Sequence, residues 1–458
     1  MEILVANRVV VLGLDGAGEK ARNLQEMLLA RFTYENPVYW EARRNRRPCR
    51  HIPRRIVLCE ASGDGLVTCP RGALDEVLRI VGLDADRVRD RTAFPTRAQW
   101  AFRGTVRPYQ EQAIQAVLAS RQGVVQAPTG SGKTVIAMAL IARLPTPALI
   151  VVHTSVLFEQ TAEQVRRFLG VEPGMVGQGR EEVSDVTIAM VQTLMRRDLE
   201  PWRDRFGLVI LDEAHHCPAE TFKTVIQEFS ARYRIGLSAT PTRKDRLHPI
   251  LFDVMGPIRF VVTPRTLLRS GSIARARVIR VETGFRARYV RNDYADLIGR
   301  LVRNGPRNAV VIEAILKHRG RRSLVLTERV DHAHLLAKIL RDRGLEAVAL
   351  TGEVPREQRD SMLQQFARGE VSVLVSTTAL VGEGFDLPAL DVVFLTVPHA
   401  NPAKTTQILG RALRPYEGKS AGVIVDFVDS NVPLLKSQAD RRMRVYRRFE
   451  ADGPSGVS

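Results

Sequence analysis

Short apolar runs alternate with helix-period segments over most of this chain. Leu149-Ile150-Val151-Val152 and Leu208-Val209-Ile210-Leu211 are examples, and Tyr233-Arg234-Ile235-Gly236-Leu237 reads as a further strand. Unbroken apolar runs of this length suit strands covered on both faces, and their alternation with helices predicts a parallel α/β sheet. The first such block spans residues 101–262 and includes runs at 123–126 and 186–190. A second block, 306–432, places strands at 323–326, 346–350, 371–375, 392–395 and 422–425. Residues 1–100 read differently. A strand at 9–12, a helix at 23–31 and a strand at 54–58 predict a small α+β accessory domain. Residues 263–305 are Arg-rich with poor periodicity and read as a linker, and 433–458 as a basic C-terminal tail. The expected fold class is α/β, with two tandem parallel-sheet domains.

The strongest local signal is Ala127-Pro128-Thr129-Gly130-Ser131-Gly132-Lys133-Thr134, placed between an apolar strand and a helix-forming run. It is a P-loop with Ala127 where the strict pattern has Gly. Small residues let backbone N–H groups close around phosphates, and the following helix adds the positive end of its dipole. In this reading Lys133 reaches the β- and γ-phosphates and Thr134 holds Mg²⁺. Asp212 and Glu213 end a buried apolar run, where open α/β sheets place their ligands. One carboxylate there can hold the metal, and its neighbour can take the proton from an attacking water. The expected cofactors are ATP and Mg²⁺.

Composition adds a partner. The 458 residues are 45% apolar and 26% charged, ordinary for a globular core, but the formal charge is +18. A surplus of that size favours a polyanion such as nucleic acid. Its densest window holds Arg43, Arg44, Arg46, Arg47, Arg50, Arg54 and Arg55, flanked by Phe32, Tyr34, Tyr39 and Trp40. Arginine forks beside aromatic faces suit phosphates and unstacked bases. Residues 1–100 are therefore expected to contact DNA. The four cysteines (Cys49, Cys59, Cys69 and Cys217) include no C-x-x-C pair and read as scattered reduced thiols. With no signal-peptide pattern and no long apolar run, the chain reads as cytoplasmic, in contact with the nucleoid and away from membranes.

In the second block, Gln407-Ile408-Leu409-Gly410-Arg411-Ala412-Leu413-Arg414-Pro415 carries two arginines at helical spacing. Such charges serve a γ-phosphate in the transition state. The ordered set of Arg107-Pro108-Tyr109-Gln110, the P-loop, Asp212-Glu213-Ala214-His215-His216, Ser238-Ala239-Thr240-Pro241, Val381 to Asp386 and the Gln407 segment resembles superfamily 2 helicases. The resemblance covers residues 101 to about 430. It implies two RecA-like domains with ATP between them and nucleic acid running across both.

Carried over by position, Gln110 reads the adenine edge with Arg107 beside it. Pro128 to Thr134 hold the phosphates, while Gly382, Glu383 and Asp386 line the cleft from the second domain. Arg411 and Arg414 look like arginine fingers, with Gln407 alongside. His215, Ser238, Ala239 and Thr240 couple nucleotide to movement. His153, Thr154, Gln192, Thr193 and Arg243 face the nucleic acid. The Gln407 segment looks more like the XPB branch and the phage and restriction-subunit enzymes than like DEAH-box RNA helicases. Lys244 stands where that branch carries an acid, and 263–305 occupies the place of its thumb-like insertion. The resulting expectation is an ATP-dependent 3′→5′ DNA helicase or duplex translocase in repair, recombination or fork processing. It acts as a monomer, with a nuclease or repair protein as a partner. The competing readings are a restriction or phage-defence motor, an RNA helicase, and an ATP-switched nucleic-acid clamp.

Overall fold

The computed structural model describes residues 1–14, 19–62, 65–96, 99–214, 224–239, 247–289, 293–382, 390–413 and 421–449. The side chains of residues 356, 381, 382, 403, 407, 411 and 412 are excepted. The chain forms two compact units, Met1–Ala127 with Gly132–Val262, and Thr263–Ser458 with Pro128–Ser131. Among the described residues, no helix is long and apolar enough to cross a membrane.

The first unit is built on an eight-stranded sheet. Its order is Arg180–Glu181, Gly174–Gly177, Val186–Met190, Ala148–Val152, Leu208–Asp212, Tyr233–Ser238, Gln122–Gln126 and Ile258–Val261. All neighbours are parallel except the first pair. Every residue of Ala148–Val152 is buried, which its unbroken apolar run required. Register pairs Asp212 with Leu237 and Ser238 with Gln126, so these strands end along one edge. Local signals stop the helices cleanly. Thr154 Oγ1 accepts the Leu157 N–H at 3.2 Å to start Ser155–Leu169, and Gly170 ends it at φ +69°.

Residues 1–90 add a five-stranded sheet in the order Glu60–Ala61, Val67–Cys69, Val9–Leu12, Glu2–Val5 and Val88–Asp90. The basic window contains a helix, Pro37–Arg44, that the apolar pattern did not disclose. Asn36 caps it by accepting the Val38 N–H at 3.1 Å, and Pro37 supplies the first helical φ. Cys59 and Cys69 are not scattered. Adjacent antiparallel strands bring their sulfurs to 3.2 Å, a neighbourhood that sequence spacing cannot show.

This module shares one apolar core with the first large sheet, running from Ile3, Val9, Phe32 and Val77 to Leu211, Phe229, Leu251 and Met255. Two buried arginines fasten the joint, with no carboxylate paired to either among the described residues. Arg71 donates to Ala231 O at 2.6 Å, Arg232 O at 2.7 Å and Ala6 O at 3.2 Å, and to Gln122 Oε1 at 3.0 Å. Arg234 donates to Phe229 O at 2.7 Å, Asn7 O at 3.0 Å and Val254 O at 3.2 Å. Burial, reinforced by Arg71 and Arg8, pushes the Arg234 pKa well down. Donating to several carbonyl oxygens limits the desolvation cost of a buried cation. Arg31 reaches the buried Asp253 at 3.1 Å, and Tyr34 donates to the same carboxylate. Gly72 lies against the end of the helix His248–Met255. A Cβ there would fall 2.3 Å from Gly256 N, 2.6 Å from Phe252 O and 2.7 Å from Asp253 O.

The second unit has a six-stranded parallel sheet. Its order is Arg275–Glu282, Ala421–Val428, Val392–Leu395, Ser323–Thr327, Val373–Thr377 and Ala347–Leu350. The 263–305 stretch, expected as a linker or thumb-like insertion, contains the helices Pro264–Arg269 and Tyr294–Val302 and the edge strand Arg275–Glu282. Exposed Arg275, Arg277 and Arg280 interrupt that strand's apolar pattern, as edge strands commonly do. Two buried ion pairs, Arg307–Asp429 and Arg442–Asp426, each at 2.7 Å, lie in this unit.

Candidate nucleotide site and nucleic-acid interface

The P-loop turns through Gly130 at φ +86° and Gly132 at φ +76°, a backbone region that suits glycine. Gly132 caps the helix Lys133–Arg143. A Cβ on Gly132 would also meet Gln110 Nε2 at 2.4 Å, so glycine lets that amide pack against the turn. Gln110 is buried, and its Oε1 accepts the Arg107 N–H at 2.9 Å at the start of the helix Pro108–Ser120.

Lys133 Nζ sits 3.0 Å from Glu213 Oε1 and donates to Ala127 O at 3.4 Å. The Glu213 N–H donates to Asp212 Oδ1 at 2.9 Å. Glu213 has φ +49°, an uncommon region for a residue with a Cβ. Such a backbone costs about 1–3 kcal/mol, concentrated here on one acid. Burial pushes the Asp212 carboxyl up to about 6, with the Glu213 charge adding to it and Lys133 opposing. The Ala127 N–H donates to Ser238 O at 2.8 Å, tying the P-loop strand to the buried Ser238–Ala239 end of its neighbour. Lys133, Asp212, Glu213 and Ser238 therefore converge on one strand edge, with Thr134 next to Lys133 in the helix.

A second cluster lies along the same sheet. Gln192 Nε2 donates to His153 O at 2.9 Å, joining two of the segments expected to face nucleic acid. Gln192 and Thr193, with Arg196, Arg197 and Glu181, line an open cavity of about 380 Å³. Thr154 spends its hydroxyl on the helix cap. Arg196 and Arg197 escaped the sequence reading, although they lie four residues beyond Gln192 and Thr193 and so share one face of a helical turn. In the N-terminal module, Arg43, Arg44, Arg46 and Arg47 are exposed, and no carboxylate pairs with them among the described residues. Trp40 is already engaged. The Arg54 and Arg43 guanidinium groups lie 5.2 and 5.6 Å from its ring centroid, and its Nε1 donates to Glu35 at 2.8 Å. The ring thus holds arginines, which leaves phosphates the better match than stacked bases.

In the second unit, the helix Pro402–Ala412 carries Gln407 and Arg411, whose side chains are not described. Lys404 from this helix donates to Thr378 Oγ1 at 2.7 Å and Glu328 Oε1 at 3.0 Å, both just past strand ends. That tie was absent from the sequence reading. Gly382 ends the helix Thr378–Gly382. His215, Thr240, Arg243, Lys244, Glu383, Asp386, Arg414 and Cys217 lie outside the described residues.

A lysine at a glycine turn, facing two acids at a strand end in a parallel sheet, defines a P-loop nucleoside-triphosphate hydrolase. The family model "Type III restriction enzyme, res subunit" matches residues 103–243, and "Helicase conserved C-terminal domain" matches 306–416. The Escherichia phage T5 protein named Probable helicase D10 is 28% identical over 333 residues, covering 71% of each chain. The DNA 3'-5' translocase XPB2 of Sulfurisphaera tokodaii is 25% identical over 386 residues, covering 75% of this chain and 84% of that one. A solved fragment described as an HsdR subunit of a type I restriction enzyme from Vibrio vulnificus YJ016 superposes with a TM-score of 0.53. It is 22% identical and covers 73% of this chain and 67% of that one. The chain belongs to the superfamily 2 helicases, in the branch that holds XPB and the restriction subunits, and is an ATP-dependent nucleic-acid helicase.

Proposed function

We propose that the nucleic acid is DNA and that the protein moves along duplex or forked DNA in repair, recombination or fork processing. The observation carrying this reading is the Lys133–Glu213–Asp212 constellation, a lysine and two acids on one strand edge in a strongly basic chain. The relative named as a DNA translocase supports the choice of DNA. Thr134 and Asp212 would hold Mg²⁺, which neutralises phosphate charge when bound. Glu213 takes the proton of the attacking water, and Lys133 leaves Glu213 for the phosphates. A motor needs repeated turnover, so ATP hydrolysis is measured without nucleic acid and with single-stranded, blunt, forked and RNA substrates. Largest stimulation by duplex or forked DNA supports the reading. Stimulation by RNA alone overturns it.

The Asp212 carboxyl adds a pH signature. Its folded pKa lies above the ordinary value of 3.8, so the group is protonated below about 6 and then cannot bind a cation. Mg²⁺-dependent nucleotide affinity should hold from pH 8 to 7 and fall below about 6, approaching tenfold per pH unit. Titration calorimetry at fixed ionic strength would read it. An affinity flat between pH 7 and 5 would remove Asp212 as the metal ligand.

The exposed arginines add a salt signature. Each phosphate contact contributes roughly 0.9 to the slope of log affinity against log salt on duplex DNA. Changing Arg43, Arg44, Arg46 and Arg47 together to Ala should lower that slope by about 2–4, uniformly across sequences. An unchanged slope would remove the module from the DNA interface.

A further inference from the structure

Cys59 and Cys69 face each other across the hairpin at the edge of the N-terminal sheet. Register pairs Glu60 with Thr68 and Ala61 with Val67, so the next rung sets Cys59 opposite Cys69. The Ser62 N–H donates to Leu66 O at 2.9 Å, which makes 62/66 a hydrogen-bonded rung. By alternation 60/68 is another, and 59/69 is a non-hydrogen-bonded rung. Rungs of that kind hold Cα atoms about 4.5 Å apart, inside the roughly 4.4–6.8 Å that a disulfide spans. The sulfurs lie 3.2 Å apart, both thiols are fully buried, and both are free.

We propose that Cys59 and Cys69 form a redox pair that closes to an intrachain disulfide on reaction with a small-molecule disulfide such as oxidised glutathione. The first thiolate attacks one glutathione sulfur and releases one glutathione. The second then attacks the mixed disulfide at the protein sulfur and releases the other. Two protein thiols are oxidised, one glutathione disulfide is reduced, and both protons end on the glutathione thiols. The hydrogen bond shared with Cys59 and burial push the Cys69 thiol up, so the pair is inert while the sheet edge is closed. Access comes from the edge itself. Glu60–Ala61 is a two-residue outer strand with both residues exposed, the kind of element that opens first. The cross-link has a local consequence. Glu60 pairs with Arg8 at 3.5 Å, Arg8 reaches Glu228 at 3.5 Å, and Arg71 follows Cys69 by two residues. Oxidation therefore locks the strand edge beside the groups that fasten the module.

The test uses the full chain with Cys49→Ser and Cys217→Ser, equilibrated across a series of glutathione ratios in urea below the unfolding midpoint. Thiols are counted by alkylation and mass, and peptides are mapped without reduction. The expected result is joint loss of both alkylatable thiols at the oxidising end. It is accompanied by a Cys59–Cys69 linked peptide, reversal by reductant, and a higher melting temperature for the oxidised form. The linked peptide should be absent after Cys59→Ala. Two thiols that stay alkylatable at every ratio, or that carry separate glutathione adducts without linking, would overturn the proposal.

Discussion

Glu213→Gln should lower ATP turnover by about 10²–10⁴-fold while leaving nucleotide binding intact. The amide keeps the size of the acid but cannot take a proton from water. It also frees Lys133 from the 3.0 Å ion pair, so nucleotide affinity should rise if it changes at all. Lys133→Ala should instead weaken binding, because it removes the positive charge aimed at the phosphates. Turnover number and nucleotide affinity, measured separately for each variant, distinguish the two roles. A Glu213→Gln enzyme within about fivefold of the parent rate would show that another group activates the water. The left-handed backbone at Glu213 sharpens the expectation, since strain at a single acid points to function.

The second large effect is structural. Gly72→Leu should lower the melting temperature of the first unit by roughly 5–10 °C, from a destabilisation of about 3 kcal/mol. All three atoms that a Cβ would strike are backbone, in Phe252, Asp253 and Gly256, and none can swing aside. The module must shift, and Arg71 then loses carbonyl partners while still buried. Gly72→Ala should produce the same change at smaller size. Calorimetry together with limited proteolysis of the 82–107 segment would read it. An unchanged melting temperature for the leucine variant would mean that the joint is looser than its distances imply.

The two parallel sheets were legible because buried parallel strands are unbroken apolar runs, as at Ala148–Val152 and Leu208–Asp212. The P-loop and the Asp212–Glu213 pair were legible because their chemistry fixes residue type and spacing. Arg275–Glu282 was not, because exposed arginines on an edge strand disguise its period. The helix Pro37–Arg44 was hidden for a similar reason, its basic last turn merging with the charged window that follows. Hardest to foresee were Arg71, Arg234 and Gly72. Each acts through backbone atoms far away in sequence, and no local pattern records which carbonyls a folded chain will bring to an arginine.

The shared core has a consequence during synthesis. Two of the carbonyls that Arg71 uses, and the backbone that Gly72 packs on, lie between residues 231 and 256, some 160 to 184 positions downstream. At about 5–20 residues per second, a ribosome takes on the order of ten to thirty seconds to supply them. For that interval the nascent N-terminal sheet holds an uncovered apolar face and an unsaturated arginine.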